Sequence, residues 1–232
     1  MIDNNTGKSW IRVVSNFEDF ISTPFVDGIN AVCWNRELAG DFFEVISKCT
    51  FAENMISLHE DALMALQLTD QGQVARSTLI NDLRLLSAQG LLPTLNIIKH
   101  YHRDAIFPFF PTDVYSWHVD RSSLPGSTIL CTYFGAASEI VANDQAKQKI
   151  LIPAFRDKLK SLHQGVDESF DPFLVDNFFD LHYQIKDGAQ IINLGKGNMW
   201  RLAIDHPGCK VLPCIHRAPV EKNGEPRLMM IC

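Results

Sequence analysis

Long hydrophobic runs are missing from this chain, and no uninterrupted apolar stretch approaches the ~20 residues that a membrane helix requires. The polar opening Met1-Ile2-Asp3-Asn4-Asn5-Thr6-Gly7-Lys8 also lacks the apolar core of a secretory signal. No membrane association is expected, and the cytoplasm is the expected compartment. An excess of positive charge is absent too. With 21 Lys+Arg against 27 Asp+Glu the formal net charge is −6, which argues against a nucleic-acid backbone or an anionic bilayer as the main partner. The cysteines Cys33, Cys49, Cys131, Cys209, Cys214 and Cys232 include no C-x-x-C pair and sit in apolar segments, so they read as buried thiols and not as disulfides. Repeats, low-complexity segments and an obvious linker are lacking as well. A single domain spanning 1–232 is the consequence.

What is present is an ordinary globular composition, 46% hydrophobic and 21% charged, enough for a substantial core. Residues 1–95 read as a helix and strand layer. Ile11–Val14 and Ala31–Trp34 are short strands separated by the turn-like Phe25-Val26-Asp27-Gly28, and helical spacing of apolar residues marks 36–48 and 70–88. Gly90 and Pro93 end the second helix. Residues 96–232 break into short apolar runs punctuated by Gly, Pro and Asn-Gly, with candidate strands at 113–120, 127–134, 138–142, 182–186, 189–194, 199–204, 210–216 and 227–232. One helix interrupts them near 153–163. The expected class is α+β, a cupin-like jelly roll with an N-terminal helical layer.

Chemistry concentrates in Tyr115-Ser116-Trp117-His118-Val119-Asp120-Arg121. On a strand the period of two puts His118 and Asp120 on one face, an imidazole and a carboxylate aimed at the same place. A distal His216 would complete a 2-His-1-carboxylate triad, which leaves coordination positions open for non-haem Fe(II). The His-x-Asp motif alone is weak, since this composition supplies about one by chance, and His102-Arg103-Asp104 is a second copy. The context at 118–120 is strand-like; that at 102–104 reads as a loop or helix end. Further support comes from Asn223-Gly224, a two-residue hairpin signal. Such a hairpin would pair Arg227 with Val220 and set Arg227 on the face of His216, provided no bulge at Pro219 or Pro226 intervenes. A guanidinium there suits a carboxylate ligand, with Arg201 as the reserve choice.

His118-x-Asp120, a distal His216 and Arg227 in the last strand resemble the Fe(II)- and 2-oxoglutarate-dependent dioxygenases over about residues 113–232, and within that superfamily a bacterial family of unknown function. The resemblance implies a double-stranded β-helix in which His118, Asp120 and His216 hold Fe(II) and Arg227 takes the far carboxylate of 2-oxoglutarate. It implies oxidative decarboxylation to succinate coupled to hydroxylation or demethylation of a small molecule or a protein side chain. The usual double glycine before an acidic residue is absent near Gly135-Ala136-Ala137-Ser138-Glu139. A cupin-like metal- or ligand-binding module without oxygenase turnover is the alternative.

Rival constellations are weaker. His206, Cys209, Cys214 and His216 offer zinc-type ligands at irregular spacing. Cys214 and His216 lack a third orienting group for nucleophilic catalysis. Gly195-Lys196-Gly197-Asn198 lacks the full phosphate-loop pattern and reads as a turn. Arg217 should face away from His216, and Arg121 should lie at a rim or surface. The aromatics Phe107, Phe109, Phe110, Trp117, Tyr133 and Trp200 read as core before pocket.

Overall fold

In the computed structural model, residues 10–50, 53–104, 106–220 and 224–232 are described. The first part runs β1 (Ile11–Val14), α1 (Phe17–Ser22), β2 (Ala31–Trp34), α2 (Phe42–Ser47), β3 (Met55–Leu58), α3 (Glu60–Ala65) and α4 (Asp70–Ser87). Next come β4 (Thr94–Ile98), β5 (Trp117–His118), β6 (Ser127–Phe134) and β7 (Glu139–Val141). An excursion of β8 (Ala146–Gln148), α5 (Pro153–Leu162), α6 (Phe170–Asp176) and β9 (His182–Ile185) precedes β10 (Ile192–Asn193), β11 (Met199–Ala203), β12 (Ile215–Arg217) and β13 (Arg227–Ile231).

These strands form two sheets, a larger one ordered β1-β2-β11-β6-β13-β4-β3 and a smaller one ordered β10-β7-β12-β5-β9-β8. Pairing is antiparallel throughout the described strands except between β1 and β2. The fold is thus α+β with two antiparallel-rich sheets, compatible with a β-sandwich or jelly roll.

The larger sheet is covered on both faces, so its strands carry apolar side chains at nearly every position. Ile129, Cys131, Tyr133, Met199, Leu228 and Met230 pack on one side with Phe20, Val45, Leu63, Leu79 and Leu86 of the helices. The alternate residues Leu130, Trp200, Leu202 and Met229 pack on the other with Ile140 and Cys214 of the smaller sheet. The second face defines the interior. A separate aromatic cluster of Phe110, Leu159, Phe170, Leu174 and Phe179 closes the excursion.

Several boundaries differ from expectation for local reasons. The helix expected over 36–48 begins only at Phe42, because Gly40 sits at φ 105° against α4 and Asp41 caps the start through its side chain on the Glu44 N–H. A Cβ at Gly40 would lie 2.4 Å from the Ala75 nitrogen. The strand expected over 113–120 shrinks to Trp117–His118, since Asp113 builds a turn, its carboxylate accepting from the Asp104 and Tyr115 N–H groups. The boundary drawn at 95/96 falls inside β4, and β1 to β3 extend the same sheet as β4, β11 and β13.

The hairpin expected between 210–216 and 227–232 does not form. β12 belongs to the smaller sheet and β13 to the larger, and Arg227 pairs with Ile98 of β4 in place of Val220. Asn223 itself lies outside the described residues. The physical reason is competition for strand edges: β12 is flanked by β5 and β7 and β13 by β4 and β6, so neither has a free edge left for the other.

Candidate metal centre

β5 and β12 are adjacent in the smaller sheet, with His118 directly opposite His216. Both point into the interior, because His216 is also opposite Ile140 and lies two residues from Cys214, and both of those are interior residues. The two rings are 4.4 Å apart between centroids. Asp120 lies beyond the end of β5, but the chain stays extended there, with the Val119 N–H donating to Leu181 O and the Asp205 N–H donating to Asp120 O at 2.8 Å. Its carboxylate therefore comes round to the same point, 3.9 Å from His118 Nε2 and 3.6 Å from His216 Nε2. Ligand atoms of His118, Asp120 and His216 all lie within 4.8 Å of one another, and no other group of three potential ligands does so among the described residues.

The surroundings fix which atoms face the centre. His118 Nδ1 donates to the Ser116 carbonyl at 2.8 Å and His216 Nδ1 to the Cys214 carbonyl at 3.2 Å, so each ring presents a bare Nε2. Thr128 of β6 donates its hydroxyl to Asp120 Oδ2. Arg121 then braces the end of the strand, its Nε on Asp205 at 2.7 Å and its Nη2 paired with Asp180. Two imidazoles held by backbone carbonyls and one carboxylate held by a hydroxyl form a donor set that suits a divalent transition metal.

The electrostatics favour the ligating forms. Burial, with His216 beside it, holds His118 down at about 4. For Asp120, burial works to raise the pKa, but His216, the Thr128 hydroxyl and His118 outweigh it and the carboxyl is lowered. A third histidine, His182, is opposite His118 on its other flank, in β9. Burial, then His118 and Lys149, push His182 down to about 3.

These shifts make the metal-free protein acid-sensitive. Unfolded, each imidazole takes a proton near pH 6.5; folded, His118 waits until about 4 and His182 until about 3. Between those limits the unfolded state binds more protons, so stability falls as the pH drops from about 6.5 towards 4, by a few kcal/mol. Urea unfolding of metal-free protein at about pH 7.5 and about pH 5 will show this loss, and His182→Gln will reduce it. Equal stability at both pH values would contradict the assignment.

The remaining sequence candidates separate clearly. Arg227 is 1% exposed and lies on the interior face with Met229; its Nε donates to Ala136 O at 2.7 Å and its Nη2 to Ser138 Oγ at 3.1 Å. Gly135, at φ 82°, permits that approach, because a Cβ there would lie 2.6 Å from Pro226 O. Ser138 is two residues along the chain from Ile140, the register partner of His216, which puts the arginine's anchor about 7 Å from the His216 row at backbone level. Arg201 does not share this space. It faces the helical side, with Nε on Phe20 O at 3.0 Å, Nη2 on Thr23 O and its guanidinium 4.5 Å from the Phe25 ring centroid.

Asp104 of the second His-x-Asp motif closes its own loop, accepting from the Ile106 and Thr112 N–H groups and the Thr112 hydroxyl. The zinc-type set does not assemble either: His206 bonds Pro207 O and Cys209 bonds Val211 O. Burial raises the Cys214 thiol well above its ordinary value, which removes it as a nucleophile at neutral pH. Arg217 lies on the outer face, over the Trp117 ring and paired with Glu139 at 2.7 Å.

Sequence reasoning missed Ser116, Thr128, Ser138 and His182. Only the positions of Ser116 and Cys214, two residues before each histidine, carried a readable signal, and their function there uses backbone carbonyls that any residue supplies. Compared with protein-family models, curated proteins and solved structures, the chain gives no significant match.

Proposed function

We propose that this protein is a non-haem Fe(II)- and 2-oxoglutarate-dependent oxygenase of the hydroxylase or demethylase type. The observation that carries the reading is the convergence of His118, Asp120 and His216 on the interior face, with both imidazoles oriented by backbone carbonyls. The strand order supports it. From β4 onwards, with β8 and β9 of the excursion set aside, the larger sheet runs β4-β13-β6-β11 and the smaller β5-β12-β7-β10, so strands distant in the chain lie side by side as in a double-stranded β-helix.

The donor set fits Fe(II), with three protein ligands leaving positions open. Arg227 fits the dicarboxylate, as a fixed cation on the same interior face whose planar fork suits a carboxylate. When bound, Fe(II) and 2-oxoglutarate supply the oxidising chemistry: dioxygen, the oxoacid and substrate yield succinate, carbon dioxide and oxidised substrate. The chain's own contribution is to hold the ligands. Ser116 and Cys214 carbonyls keep protons on Nδ1, Thr128 keeps the Asp120 carboxylate ionised and aimed, and Arg227 places the distal carboxylate.

Anaerobic titration with Fe(II) and then 2-oxoglutarate tests the proposal. A visible metal-to-cosubstrate charge-transfer band is expected, and its absence in the wild type would refute the reading. Arg227→Met is expected to weaken 2-oxoglutarate by roughly 10- to 100-fold while metal binding persists. Cosubstrate binding unchanged in that variant, or metal binding without any cosubstrate effect, would favour a cupin-like metal-binding module.

A further inference from the structure

His182 was brought to the centre by the excursion between β7 and β10, and it plays no part in holding the metal ligands. It completes a row of three histidines across adjacent strands, His216 on β12, His118 on β5 and His182 on β9, all in register and all on the interior face. Its ring centroid lies 5.8 Å from that of His118, and it is 4% exposed. It stands outside the group of ligand atoms that lie within 4.8 Å of one another, so it flanks the centre.

The protonation of its ring follows from one hydroxyl. Ser116 Oγ is 2.8 Å from His182 Nδ1 and also 2.8 Å from the Asp113 carbonyl oxygen. A carbonyl oxygen only accepts, so the single hydroxyl hydrogen goes to Asp113, and the serine oxygen must accept from His182 Nδ1–H. The opposite assignment would leave two oxygen lone pairs facing each other at that distance. His182 Nε2 is therefore bare, and no described residue donates a hydrogen bond to it. Ser116 thus sets two rings at once, His118 through its carbonyl and His182 through its hydroxyl.

We infer that His182 Nε2 is a hydrogen-bond acceptor for an N–H or O–H group on the molecule that occupies the open side of the metal. The substrate class is then donor-bearing, an alcohol, amide or amine, in preference to a plain hydrocarbon or unsubstituted aromatic ring. A hydrocarbon would leave a buried acceptor without a partner, which is unfavourable. His182 acts as a specificity residue, and the inference rests on the metal reading given above.

Two measurements decide it. In metal-free wild-type protein, long-range proton–nitrogen NMR should show His182, assigned by signal loss in His182→Gln, with the proton on Nδ1 and a bare Nε2. A proton on Nε2 overturns the inference, whatever the ligand measurements give. With saturating Co(II), acetohydroxamate (one N–H) and N-methylacetohydroxamate (none) chelate through the same two oxygens. The wild type is expected to prefer the N–H ligand by about tenfold, His182→Leu to lose the preference, and His182→Gln, whose amide oxygen accepts, to recover part of it. The preference is a ratio within each protein, so a changed cobalt affinity cancels. Failure of the wild type to take up Co(II) refutes the metal reading itself; uptake with a preference unaltered in His182→Leu, or with none in the wild type, refutes only the role of His182.

Discussion

Replacement of Asp82 by alanine is expected to destabilise the fold by about 3–5 kcal/mol. Asp82 is on α4 and its side chain is 1% exposed. It takes both terminal nitrogens of Arg36, at 2.7 and 2.5 Å, and the Tyr133 hydroxyl at 2.7 Å. Arg36 in turn reaches Gly197 O at 2.7 Å and lies over the Trp34 ring. One buried carboxylate thus ties α4 to β6 and to the segment after β2, and through Arg36 to the turn before β11. Burial opposes the guanidinium's charge, but Asp82 and its neighbours outweigh it and the Arg36 pKa is raised. With Asp82 removed, Arg36 keeps its charge in a site that no longer offsets it, and Tyr133 loses its acceptor.

In a chain of this size that loss corresponds to a fall in Tm of about 6–20 °C. Tyr133→Phe removes a hydrogen bond to a charged carboxylate and should cost about 1.5–3 kcal/mol. Thermal or urea unfolding of the two variants measures both. An Asp82→Ala variant within about 1 kcal/mol of the wild type would refute this, showing that Arg36 is not left with an unoffset buried charge.

Removal of a ligand from the centre carries the largest expected effect on binding. Asp120→Ala or His216→Ala leaves two protein ligands, and metal affinity should drop by more than about a hundredfold, beyond the 10- to 100-fold typical of groups that only orient a ligand. Thr128→Val, which removes the hydroxyl from Asp120 and leaves the ligands in place, should fall within that smaller range. Asp104→Ala, in the other His-x-Asp motif, should leave affinity unchanged, since Asp104 is held in its loop by Thr112 and Ile106. Competition against a chelator of known affinity measures all four. Wild-type affinity in either Asp120→Ala or His216→Ala would place any metal elsewhere.

Much of the element inventory was legible because local chemistry decides it. Ile11–Val14, Ala31–Trp34, α4 and α5 fall close to their expected limits, the strands marked by short apolar runs and the helices by apolar periodicity with the Thr69 cap before α4 and Pro153 at the start of α5. The triad was legible in part, since two residues apart on an extended chain share a face whatever the tertiary fold. What misled was the Asn-Gly signal, a local preference overridden by long-range pairing, since both edges of β12 and of β13 are taken by other strands.

The sequence alone determined the residue types of the centre, the extended geometry that aligns His118 with Asp120, and the absence of a span apolar enough for a membrane. Tertiary structure alone decided the partners. Strand pairing set His118 opposite both His216 and His182, and the crossing from β12 to β13 brought Arg227 to the interior through the larger sheet. The same packing turned Arg201 towards the helices. The reason is that a strand's own period fixes which face a side chain shares with its neighbours in the chain. Which strands lie beside it is set by long-range hydrogen bonding and by burial of both faces of the larger sheet, which no local window contains.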